Sequence, residues 1–121
     1  MSRKKTAPSQ KELALLRQIL MRLDFLLVKQ MLFGITNSTT EKAMKDFSKT
    51  ILKIDPEMGG FGPNRYWPDE FYLNHDFFKK LDELLEEAQK VESPALRTLS
   101  WRAKELRRLF KSLASLLPAA K

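Results

Sequence analysis

The chain has no cysteine and a single histidine, His75. Without thiols there is no disulfide and no cysteine-based zinc site, and any Ser-His-Asp or metal-ligand arrangement would have to be built around one imidazole. Glycine is scarce too: four in 121 residues, three of them between Gly59 and Gly62. Long apolar runs are missing. The most apolar stretch, Phe25 to Ile35, contains Lys29 and Gln30 and falls well short of the ~18 to 20 residues that a bilayer span needs. The basic opening Ser2-Arg3-Lys4-Lys5 looks like the start of a signal peptide. The stretch behind it, however, is broken by Arg17, Arg22 and Asp24 and offers no small-residue cleavage site. Position 2 is Ser, which removes the myristoylation pattern. These absences predict a cytoplasmic protein that does not attach to membranes.

At 121 residues and 43% hydrophobic composition, the chain is sized for one domain with a core that needs no staples. We expect a basic tail at 1–8, a single helical domain at 9–117 and a short tail at 118–121. Ser9 with Glu12 and Ser38 with Glu41 have capping-box spacing, in which the serine oxygen takes a first-turn N–H and the carboxylate reaches back. Ser93-Pro94 places serine at a cap and proline at the first helical position, where its missing N–H costs nothing. Another helix follows Asn74.

Behind those starts the apolar residues step by three and four, as in Leu13, Leu16, Leu20, Leu23 and Leu27, or Met44, Phe47, Ile51 and Ile54. Phe77, Leu81, Leu84, Ala88 and Val91 repeat the pattern, and a last seam runs from Leu96 to Leu117. No period-2 run competes with it, so the fold class expected is all-α. The arrangement expected is an antiparallel bundle of about four helices, with short breaks at Gly34 and at Glu92-Ser93-Pro94. The connection from Asp55 to Trp67, rich in glycine, proline and aromatics, reads as a long loop between the second and third helices. Phe61, Tyr66 and Trp67 in it are either anchors pinned to the bundle or a binding surface.

Enzymatic chemistry has little to stand on, and no cofactor is expected. Asp69, Glu70, His75 and Asp76 show no ligand repeat on one helical face, so no metal site is expected. Gly59-Gly60-Phe61-Gly62-Pro63 lacks the Gly-Lys-Ser/Thr, the strand and the helix of a phosphate loop. Asp82, Glu83, Glu86 and Glu87 read as a solvated polar face.

Charge carries the sharpest signal. The chain has 22 Lys and Arg against 15 Asp and Glu, a formal +7, which points to an acidic partner. From Ser93 to Ala120 six basic residues oppose Glu105 alone, a local +5. With Leu96 at heptad position a, the apolar seam fills a and d and Trp101 faces away from it. Arg97, Trp101, Lys104, Arg108 and Lys111 follow that outer line, flanked by Arg102 and Arg107. Guanidinium and ammonium groups around an aromatic suit the phosphates and bases of DNA or RNA.

Two plainer readings compete with this one. Trp101 could fold under the aromatic loop with Arg97 or Lys104 across its ring, or Arg107, Arg108 and Lys111 could pair with the acidic segment Asp76 to Glu92. The end of the first helix is a second candidate surface. Phe25, Met31, Leu32 and Phe33 belong to a stretch that is apolar all round, as in a helix central in its domain or covered by another chain. The expectation is therefore an accessory or regulatory binding module that contacts nucleic-acid backbone or an acidic protein surface. The alternative is a protein–protein adaptor, a homodimer or a small subunit of a larger complex, using Phe25, Met31, Leu32, Phe33, Phe61, Tyr66 and Trp67.

Overall fold

Caps and apolar stripes account for most of the architecture. In a computed structural model that describes residues 9–35, 38–54 and 71–117, regular structure is entirely α-helical, with no strand among the described residues. The elements are α1 (Gln10–Leu32), α2 (Ser38–Ile54), α3 (His75–Ala88), α4 (Pro94–Leu109) and the single turn α5 (Lys111–Ala114).

The α1 capping box forms as its spacing predicts. Ser9 Oγ accepts from the Glu12 N–H at 3.1 Å and Glu12 Oε1 accepts from the Ser9 N–H at 3.0 Å. At the other end Gly34 adopts φ +76°, the left-handed conformation that favours glycine. Its N–H donates to Met31 O and that of Ile35 to Gln30 O, both at 3.0 Å, the paired bonds of a Schellman stop. Asn74 caps α3, its Oδ1 accepting from the Phe77 N–H at 2.8 Å. Ser93 caps α4 through Leu96 N–H at 3.4 Å, with Pro94 leading the helix. Ser38 departs from expectation: it is already the first residue of α2, so the cap position precedes it and lies outside the described residues.

The last seam is also not one helix. At Phe110 the backbone leaves helical geometry (φ −96°, ψ 11°) before α5 begins. Phe110 and Leu113 are both fully buried on either side of this step, so the apolar line continues while the helix does not.

Ile19, Leu20, Leu23 and Leu26 of α1 form the middle of the core with Phe47 and Ile51 of α2, Leu81 of α3, and Leu99 and Ala103 of α4. α1 and α3 run in opposite directions. Glu12 Oε2, near the start of α1, accepts from the Glu92 N–H just beyond α3 at 3.1 Å. Phe25, late in α1, packs on Phe77 at the start of α3 with ring centroids 4.9 Å apart. α4 lies beside α3 through Arg107 and beside α2 across a small cleft lined by Ala43, Phe47, Leu106 and Leu109.

One polar group is costly in this core. Asp24 on α1 is only 5% exposed and its Oδ2 has no hydrogen-bond partner. Burial pushes its pKa up to about 6, because a low-dielectric setting disfavours the charged form.

Candidate nucleic-acid interface

α4 divides its residues by angle. Leu96, Leu99, Ser100, Ala103 and Leu106 are buried, whereas Arg97, Trp101, Lys104 and Arg108, stepping by four, three and four, are exposed. Trp101 is 62% exposed at the middle of that row, so none of the described elements covers it. The cation–π contact is present nonetheless, with Lys104 Nζ 5.6 Å from the indole centroid. An ammonium over one face of an exposed ring holds the ring without hiding it.

The flanking cations differ in use. Arg102 lines the cleft of about 180 Å³ between α2 and α4, with Asp46 and Glu105 at its rim. Arg108 Nη1 donates to Glu105 Oε2 at 3.0 Å, both side chains largely in solvent. Such a pair is worth ~0 to 1 kcal/mol and exchanges readily for a stronger anion. Lys111 is exposed but stands on α5, beyond the interruption at Phe110.

Arg107 does not join the outer row. Its Nε and Nη2 donate to the two carboxylate oxygens of Asp82 at 2.8 and 3.2 Å, and its guanidinium lies 4.7 Å from the Phe78 ring centroid. One residue before Arg108 means about 100° of rotation, enough to turn Arg107 from solvent onto α3. Its charge is consumed within the fold. Of the three cations that the acidic segment was able to absorb, Arg107 alone pairs with α3.

A row that sequence reasoning passed over lies on α2. Lys42, Lys45, Lys49 and Lys53 step by three, four and four along the face opposite Met44, Phe47 and Ile51, and all four are exposed. Their spacing is as regular as that of the α4 cations. It went unread because Glu41 and Asp46 in the same helix dilute the local charge.

The second candidate surface divides. Met31, Leu32 and Phe33 are exposed at the end of α1. Phe25 corrects the expectation: it is buried, with its ring against Phe71 and Phe77, because the turn leading into α3 brings two more phenylalanines over it. Phe61, Tyr66 and Trp67 lie outside the described residues, as do Asp69, Glu70 and the Arg3-Lys4-Lys5 tail. His75 is exposed as the first residue of α3. No group of three or more His, Asp or Glu able to hold a metal ion occurs among the described residues. No helix among them is long and apolar enough to cross a membrane.

No family model, curated protein or solved structure matches the chain. The functional reading therefore rests on geometry and charge.

Proposed function

We propose that the protein is a non-enzymatic accessory or regulatory module that holds nucleic-acid backbone on the outer face of α4. Arg97, Arg102, Lys104, Arg108 and Lys111 meet phosphates, and Trp101 offers its free ring face to a base. Arg107 supports this face from behind by tying α4 to α3. The frame we propose is an antiparallel bundle of about four main helices, with the segment 55–67 joining the second and third. The observation that carries the reading is the exposure of Trp101, 62%, inside a row of cations. An exposed indole among cations is what a base-stacking platform needs. Sequence-specific recognition does not follow, since phosphate contacts carry no base information.

The test is fluorescence anisotropy of labelled single-stranded and duplex oligonucleotides across a salt series. Wild type should bind with affinity falling steeply as salt rises, and the double variant Arg108→Glu, Trp101→Ala should bind at least ~5-fold more weakly, since one lost stacked base alone costs ~1 to 3 kcal/mol. Absence of binding by wild type at low salt would overturn the reading.

A second reading, a protein–protein adaptor or homodimer, draws on the exposure of Met31, Leu32 and Phe33. Apolar anchors of this kind suit a protein partner and bind with little salt dependence. Leu32→Glu would then abolish self-association in sedimentation velocity, or capture of the partner, and leave oligonucleotide binding intact.

A further inference from the structure

The lysine row of α2 forms a second exposed basic face beside α4. Lys45 and Lys49 are four residues apart, as are Lys49 and Lys53, so the row contains two successive like-charged neighbours on one helical face. Such pairs destabilise a helix by mutual repulsion. Compensation was at hand, because Glu41 stands four residues before Lys45 and Asp46 four after Lys42. Yet among the described residues no ion pair or hydrogen bond engages any of the four ammonium groups.

α2 also packs beside α4, with the cleft of Ala43, Phe47, Leu106 and Leu109 between them and Arg102 on its rim. Helices in such contact lie ~8 to 10 Å apart. The α2 lysines, Arg102 and the α4 row thus follow one another around two adjacent helices. Acidic groups on this surface are Glu41, Asp46 and Glu105, the last already paired with Arg108.

Resting on the assignment of α4 above, we propose that the α2 lysine row is the second half of the same interface. The two rows together hold one single strand of nucleic acid, its backbone crossing from α4 past Arg102 to Lys42, Lys45, Lys49 and Lys53, with a base on Trp101. The exposed indole decides for a single strand: bases in a duplex are already stacked on each other, whereas unpaired bases present the free faces that it takes.

A membrane surface fits less well. Interfacial helices bury an apolar face among acyl chains, but the apolar faces of α2 and α4 are spent in the core.

The experiment compares wild type with the variant Lys42→Gln, Lys45→Gln, Lys49→Gln, Lys53→Gln, using labelled dT20, a 20-base-pair duplex and phosphatidylserine-containing vesicles. All four positions are exposed, so far-UV circular dichroism should be unchanged. Each phosphate contact to a single strand contributes ~0.7 to the slope of log K against log salt. The variant should therefore lose about 3 from the magnitude of the dT20 slope, and wild type should bind dT20 more tightly than the duplex. A slope change below ~1 while wild type still binds would remove α2 from the interface and leave the α4 reading standing. Equal or tighter lysine-dependent binding of the duplex would overturn the single-strand assignment. Lysine-dependent binding of vesicles without binding of dT20 would assign the row to a membrane surface and overturn both readings, as would failure of wild type to bind any nucleic acid at low salt.

Discussion

Replacing Asp24 by asparagine is expected to stabilise the protein at neutral pH and to remove one well-defined component of its pH dependence. The carboxyl group is almost fully enclosed, one of its oxygens lacks a partner, and burial raises its pKa from 3.8 to about 6. The folded state therefore holds the proton more tightly than the unfolded chain. Below 3.8 both states are protonated and the burial penalty is absent. As pH rises between the two values, the unfolded chain ionises first and gains relative to the fold. Above about 6 the folded protein bears the whole penalty. At ~1.4 kcal/mol per pH unit the interval corresponds to about 3 kcal/mol.

Asparagine has nearly the same volume and stays neutral throughout. The stability of Asp24→Asn minus that of wild type should thus increase by about 2 to 3 kcal/mol from acid to neutral pH, entirely within that interval. Urea denaturation followed by circular dichroism, at closely spaced pH values, measures it directly. General charge repulsion at low pH acts on both proteins alike and cancels in the difference. A difference that stays flat from acid to neutral pH would refute the reasoning, because the carboxyl group would then titrate alike in the folded and unfolded chains.

Three further outcomes test separate parts of the structure. Arg107→Ala should cost about 1 kcal/mol in urea denaturation, through loss of the Asp82 pair and the Phe78 contact. It should change oligonucleotide affinity far less than Arg97→Ala does, since its charge already belongs to α3. Glu12→Ala deprives two backbone N–H groups, those of Ser9 and Glu92, of their acceptor and should cost about 1 to 2 kcal/mol, with Glu12→Gln recovering part of it. Phe47→Ala opens a cavity at a side chain 1% exposed and should lower stability by about 3 to 5 kcal/mol.

Fold class and most helix limits were legible because they depend on neighbours in the chain. Ser9 with Glu12, Asn74, and Ser93 with Pro94 each act within one turn, and a stripe such as Leu16, Leu20 and Leu23 needs only the 3.6-residue period to declare its face. The interruption at Phe110 was not legible. Heptad spacing persists across it, and Phe110 and Leu113 are both buried although the helix stops at Phe110. Glu12 was read as half of a capping box, but its bond to the Glu92 N–H joins residues 80 positions apart, which no local pattern announces.

The same limit explains the division among the cations of α4. A helical wheel orders residues around their own axis but does not say where the next helix stands. Arg107 and Arg108 are adjacent in the chain, equally basic and about 100° apart, so either was able to face the acids of α3. Packing of α3 on the Arg107 side settles the matter: Asp82 and Phe78 take that guanidinium, and Arg108 is left outward beside Trp101. The buried line of Leu96, Leu99, Ala103 and Leu106 fixes the orientation of α4, and that orientation turns Arg107 onto α3 while Arg97, Trp101, Lys104 and Arg108 stay exposed. The residue lost from the sequence-based set therefore fastens α4 to α3 and takes no part in the outer row. Arg107→Ala and Arg97→Ala should accordingly separate stability from binding, the first lowering the urea midpoint and the second the affinity for an oligonucleotide.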